Sequence, residues 1–452
     1  MTTLRSGGLA TATSRLPESH KNSSLHLQAW WLLLLSFRSA FTAPSFLVFQ
    51  EIVTAWVLAP GRRTLTRLWR FSPTVPRRTY HAYPRFFREG RWSPDHLWHP
   101  LALLLVAHFA PRGPIPLTLD DTLHHKTGRR VDGAGIFRDA VRSTRTYTVH
   151  AWGLNLVVLA LYVLPPWGEE PLSLPLLVRL HRKKGPTLPD LAEEMVRTLA
   201  SWFPTRSFRF TADGGYATLA GRHLPRAPVN SRMRRDAALY DLPPPPRKGR
   251  RGRPPKKGRR LSTPEVWATR TRNGWRRVCV DRRGRWVERD LLTRVVLWWS
   301  VSHHPVRLIA VRDPSGREKT DFFFTTDLSA DPGAVVSLYF GRWSIEDCLK
   351  FEKQFVRGED PQSWKGRGPE RVAQTAFWLY SAVWLWYVQT KGTERTWRIL
   401  PWYRQKSRPS FADALGALRR DLLWERVSAR SSSGADMGEI LGPLVEMAGD
   451  PG

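Results

Sequence analysis

Three acidic segments stand where they could do chemistry. "IPLTLDD" ends on Asp120 and Asp121, "FRFTADGGY" carries Asp213 after an apolar run, and "YFGRWSIEDCLKFEK" sets Glu346 among cations. On a helix of 3.6 residues per turn, Tyr339, Arg342, Glu346, Lys350 and Lys353 are separated by three, four, four and three and fall along one stripe. Asp347 and Glu352 fall to either side of it. Cutting a phosphodiester at neutral pH is served by a pair of divalent ions, one activating the attacking oxygen and one steadying the leaving oxygen. Mg²⁺ takes carboxylate oxygens and leaves room for water and substrate phosphate, so three acids from separate elements suffice. Asp120, Asp213 and Glu346 are therefore the candidate catalytic residues and metal ligands, for Mg²⁺ or for Mn²⁺ in its place. Tyr339, Arg342, Lys350 and Lys353 would grip phosphates beside the metal. A solvated salt-bridge face would give the same stripe, so the spacing alone leaves both readings open.

The elements that must position these acids can be read from periodicity. "IPLTLDD" is a short strand with an aspartate just past it, "RTYTVHAW" and "LNLVVLALYVL" are two β-rich runs, and "TLPDLAEEMVRTLASWF" lines up Leu188, Leu191, Met195, Leu199 and Trp202 as one helical stripe. "FRFTADGGY" adds another strand ending at Asp213. Strand, two strands, helix, strand is the order of an RNase H-like α/β core. After it, "PPPPRKGRRGRPPKKGRR" is Pro, Gly and cation with no acid, a composition that reads as an extended, mobile segment. The next runs, from "WATRTRNGW" to "TDFFFTTD", alternate in period two and read as an inserted basic β-subdomain.

The fold class expected is thus α/β, an RNase H-like core with an inserted β-rich subdomain and helical regions at both ends. The divisions expected are a disordered tail over 1–25, a helical DNA-binding region over 26–112, the first part of the core over 113–220, a basic linker and β insertion over 221–320, the second part of the core with its catalytic helix over 321–392, and a C-terminal helical region over 393–452. Within the first helical region, Phe46, Phe49, Val53 and Trp56 are followed by Pro60-Gly61 and then Arg62, Arg63 and Arg67. A helix-turn-helix DNA-binding unit and two packed helices with a basic face both fit that pattern.

Bulk properties point to the partner. In 452 residues, 71 Lys and Arg against 39 Asp and Glu give a formal charge of +32, far beyond what solubility needs, so a polyanion is expected and nucleic acid is favoured over membrane. Two cysteines, Cys279 and Cys348, make no disulfide framework and suit a reducing, intracellular compartment. "LQAWWLLLLSF" resembles a signal-peptide core, but Glu18 leads it and Arg38 follows, so export is not expected. "TAFWLYSAVWLWYV" is too short for a span and reads as a buried helix.

The spacing Tyr339-x2-Arg342-x3-Glu346-x6-Lys353 resembles in full the YREK signature of DDE transposases from bacterial insertion sequences. "LDDT", "TADGGY" and "YFGRWSIE" are similar to the three carboxylate-bearing segments of that superfamily, and the resemblance runs from about Phe41 to Val427. It implies an RNase H-like catalytic core, Mg²⁺, binding of terminal inverted repeats, and cleavage at the ends of an element followed by strand transfer. The implied partners are double-stranded DNA, as element ends and target, and a second copy of the chain on paired ends. The implied location is the bacterial cytoplasm, at the nucleoid. Asp120 is preferred to Asp121 because the family shows Asp-x-Thr, here Asp120-Asp121-Thr122. The rivals are an RNase H-like nuclease that cuts without joining and a DNA-binding derivative that has lost catalysis. Lys126 is expected to touch DNA backbone, and Arg251 and Arg253, in "RRGRPP", have the Arg-Gly-Arg-Pro form of an AT-hook as well as that of a generic cationic linker.

Overall fold

The computed structural model describes residues 18–74, 78–144, 146–168, 170–245, 254–392, 397, 399 and 401–428. The chain divides into two compact units, Met1–Pro100 with Phe351–Gly452, and Leu101–Lys350.

The first unit is helical. It holds α1 (Glu18–Leu35), α2 (Ala43–Leu58), α3 (Leu65–Arg70), α4 (Ala82–Glu89) and the start of α5 (Pro94–Phe109). Its later elements are a π-helical segment (Glu352–Val356) and two long helices, Gly368–Lys391 and Phe411–Ser428. α1 begins inside the stretch expected to be irregular, and its apolar run buries Leu27, Trp30, Leu33, Leu34 and Phe37, so what resembles an export signal is core. α2 is a core helix too: Ile52 through Leu58 are all buried, Thr42 caps its start, and Pro60-Gly61 ends it. No helix among the described residues is long and apolar enough to cross a membrane.

The second unit is built on one ten-stranded mixed sheet. Its strands are β1 (Ile115–His125), β2 (Gly135–Arg138), β3 (His150–Val163), β4 (Leu172–His181), β5 (Phe208–Ala212), β6 (Val229–Arg232), β7 (Arg276–Arg282), β8 (Arg285–Leu297), β9 (Pro305–Arg312) and β10 (Asp321–Thr325). Between them lie α6 (Leu188–Trp202), a 3-10 segment (Gly214–Gly221) and α7 (Pro264–Arg270); α8 (Pro332–Gly341) and α9 (Ser344–Phe351) follow. α10 (Gly368–Lys391) and α11 (Phe411–Ser428) complete the first unit. The run β4-β3-β1-β5-β6, with β4, β3 and β1 antiparallel and β5 and β6 parallel to β1, is the RNase H-like arrangement. Its central strands are buried on both faces, as the unbroken apolar run Leu156–Leu161 requires. α6 covers the sheet with Ala192, Met195, Val196 and Leu199, and starts in a capping box between Thr187 and Asp190.

Several local expectations are corrected. "RTYTVHAW" and "LNLVVLALYVL" are not two strands: the second half of the first joins the other in β3, and the third strand is Leu172–His181. Asp120 lies within β1 and not past its end, because β1 keeps pairing with β3 as far as His125. "WATRTR" belongs to α7 and not to a strand, since Thr263 accepts the Val266 N–H and Pro264 takes the first turn. The β insertion is no separate sheet: β6 pairs with β10, and β9, β8 and β7 extend the same sheet beyond it. The end of the basic tract is docked, not mobile. The Gly258 N–H donates to Asp241 O at 2.9 Å, the Asp241 N–H donates to Arg259 O at 2.9 Å, and Lys257 sits 4.0 Å over the Tyr240 ring. Arg251 and Arg253 lie outside the described residues.

Candidate active site

Parallel register brings the first two acids together. Leu119 pairs with Ala212 across β1 and β5, so the next residue of each strand is Asp120 and Asp213, and in-register residues of a parallel pair point to the same face. Asp213 then leaves the sheet as the N-cap of the 3-10 segment, accepting the Gly214 N–H at 2.5 Å.

The third acid arrives from α9, and the way it arrives differs from the single helix expected. α8 stops at Gly341 and α9 starts at Ser344, with tightened bonds from Ile345 N–H to Arg342 O (3.0 Å) and from Glu346 N–H to Trp343 O (2.9 Å). The break has a packing cause: a Cβ at Gly341 would meet the Tyr162 ring at 2.5 Å, so α8 approaches β3 closely at this residue. Beyond the break, α9 is fastened by buried hydroxyls. Thr118 Oγ1 lies 3.0 Å from Ser173 Oγ, which lies 2.7 Å from Ser344 Oγ. Each end of this relay is two residues from an acid, Thr118 from Asp120 and Ser344 from Glu346.

Arg342 closes the constellation. Its Nη1 donates to Asp120 Oδ2 and its Nη2 to Glu346 Oε1, both at 2.8 Å. Only 9% of Arg342 is exposed, and its Nε is buried with no hydrogen-bond partner. The expected phosphate-gripping cation thus faces inward, onto the acids. Burial opposes its charge, yet Asp120, Tyr339 and Glu346 hold its pKa above the ordinary value. Burial pushes the Asp120 carboxyl up to about 6 against the pull of Arg342, and it raises Glu346 against the same pull. Asp121 points the other way: it accepts the Tyr216 hydroxyl at 3.0 Å and a bond from Asn155, and burial raises it also.

Among the other expected residues, Tyr339 packs 4.5 Å from Phe323 with Arg342 5.7 Å from its ring. Lys350 is exposed in the last turn of α9. Lys353 belongs to the helical unit, 4.0 Å from Glu359, and Lys126 follows the end of β1. Two residues were missed by sequence reasoning. Tyr216, which ties β1 to the segment after Asp213, sits three residues beyond Asp213 and could have been found from that spacing. Arg283, 4.0 Å over the Trp343 ring and close enough to lower Glu346, comes from the β7–β8 turn and has no local signal.

Among the described residues no group of three or more His, Cys, Asp or Glu is drawn together as a metal centre. The donor set nevertheless suits a hard cation: Asp120 and Glu346 offer carboxylate oxygens, and the Arg342 guanidinium is a positive charge already held between them.

The sheet of RNase H-like order carries Asp120 within β1, Asp213 just past the neighbouring parallel strand β5 and Glu346 on the following α9, an arrangement suited to nuclease chemistry. The description of DDE superfamily endonucleases matches residues 36–287, and the chain belongs to that family. No curated protein matches the chain. Among solved structures, the piggyBac transposase synaptic complex with hairpin DNA is similar at a TM-score of 0.35 and 11% identity, over 98% of this chain and 79% of that one.

Proposed function

We propose that the protein is the transposase of a bacterial insertion sequence: it binds the terminal inverted repeats of its element as double-stranded DNA, cuts at the ends, and joins the free 3′ hydroxyl to target DNA. The observation that carries this reading is the join made by Arg342 between Asp120 and Glu346, with Asp213 in register beside Asp120. In this reading Asp120, Asp213 and Glu346 hold Mg²⁺, or Mn²⁺ in its place, which supplies activation of the attacking oxygen and stabilisation of the leaving one. Arg342 holds two of the acids in the resting protein and turns to an end phosphate in the loaded one. Tyr339, Lys350 and Lys353 position the end phosphates, and Lys126, Arg251 and Arg253 add backbone contacts. The protein works as a homodimer on paired ends, in the cytoplasm at the nucleoid.

The test is an in vitro reaction with the inverted repeats that flank the gene, a target plasmid and Mg²⁺. Glu346→Gln keeps size and removes the charge, so cleavage falls by orders of magnitude while end binding survives. Asp120→Asn behaves alike and Asp121→Asn is milder, because Asp121 faces Tyr216 and not Arg342. Near-normal cutting by Glu346→Gln removes that residue from the site. Cut ends that never join to target would leave a nuclease without strand transfer.

A further inference from the structure

Beside Lys353, the helical unit gathers further cations, Arg357, Arg63 and Arg419, to which the proposed cutting chemistry gives no role. The π-helical segment Glu352–Val356 ends on Arg357, whose N–H donates to Glu352 O at 2.8 Å and whose φ is 59°. A left-handed cap is where glycine or asparagine ordinarily stands, so an arginine is retained there against backbone preference. Strain of this kind, at a π-turn, is where a functional side chain is to be sought.

The wall beside it carries both signs, and further arginines are buried nearby. Arg357, Lys353, Gln354, Phe355, Glu359 and Asp360 wall an open cavity of about 480 Å³. Of the two acids of the wall, Asp360 lies 3.7 Å from Arg357 and Glu359 lies 4.0 Å from Lys353. Asp360 also accepts the Arg63 N–H at 2.8 Å. Arg63 is only 1% exposed, and its guanidinium donates to two neutral carbonyls, Trp56 O and Gly61 O. Arg419, equally buried, donates to Val57 O. Burial, then Arg419 and Arg357, push Arg63 down to about 9, and Asp360 alone among its named neighbours opposes them. Several guanidiniums within electrostatic reach of one another, with Asp360 the acid that offsets Arg63, favour an anion with several acceptor oxygens.

We propose that this cavity is a phosphodiester-binding site, with Arg357 as its principal contact, that holds duplex DNA by its backbone. The inference rests on the DNA reading proposed above. Its specificity is for phosphate and not for base: Arg357 turns from Asp360 to backbone oxygens, and the surplus charge of the buried arginines is offset.

The test uses the full-length protein and a duplex of mixed sequence, titrated over a range of KCl. Arg357→Gly removes the side chain and suits the left-handed backbone, so its thermal midpoint equals or exceeds that of the parent. Its duplex affinity falls several-fold at low salt, and the slope of log affinity on log salt flattens by about one. Arg357→Asn, the other residue that tolerates this backbone, does the same, and Arg357→Lys keeps the slope. Parental affinity and slope in Arg357→Gly overturn the proposal. So does a pocket for small anions, seen as inorganic phosphate raising the parent's midpoint and not the variant's while duplex affinity is shared. A parent that binds no duplex at all sinks the DNA reading itself, which is a different result.

Discussion

The Ser173 hydroxyl, fully buried on β4, lies 2.7 Å from the Ser344 hydroxyl at the start of α9. It also lies 3.0 Å from Thr118 of β1, so one oxygen holds the strand of the first acid and the helix of the third. Ser173→Ala leaves two buried hydroxyls short of a partner and should cost about 1–3 kcal/mol, more than Ser344→Ala, which leaves Ser173 its bond to Thr118. Denaturant unfolding measures the order. Equal costs would mean that the relay is not shared.

Arg342→Ala puts the second prediction on the acids themselves. Removing the guanidinium leaves Asp120 and Glu346 without their common partner, at a cost of about 2–3 kcal/mol, below that of a wholly buried pair because Glu346 keeps a third of its side chain in water. Divalent ion should restore part of this, so Mg²⁺ raises the thermal midpoint of the variant by more than that of the parent. The same shift in both proteins would separate Arg342 from the ion site.

Acid sensitivity of α6 gives the third. Asp190 is held down to about 2 by the Thr187 hydroxyl and then by Arg222, so its contribution to stability is present above its unfolded value and fades as pH falls through the folded one. Asp190→Asn should therefore melt below the parent at neutral pH, with the gap closing as pH falls to about 2. A gap that stays constant down the titration would place the effect elsewhere.

The approach of Asp120 and Glu346 to one another was legible because the spacing of the stripe and the apolar run before the aspartate are local signals. What was hidden depends on distant residues. The break after Gly341 is set by Tyr162 of β3, and the union of the β insertion with the core sheet is set by β6 meeting β10 across an interval of about ninety residues. Inward-facing Arg342 was hidden for the same reason: a helix stripe says which residues are neighbours and not which neighbour a long side chain will choose. α7 is another matter, since Thr263-Pro264 is a helix start that period-two alternation outweighed.

The guanidinium between Asp120 and Glu346 has a consequence for how the proposed site is switched on. A cation tethered to the chain competes for its acids at high effective concentration, whatever the solution holds. An incoming ion must outcompete a resident that never diffuses away, and singly charged ions, with no more charge than the resident, are poor challengers. DNA would alter that contest from the other side, because a backbone phosphate offers Arg342 somewhere else to go. Ion and DNA then favour each other's arrival, and each should tighten the other's binding by the same factor. On the proposed DNA reading, a protein of +32 charge would stay quiet until both are present in the right place.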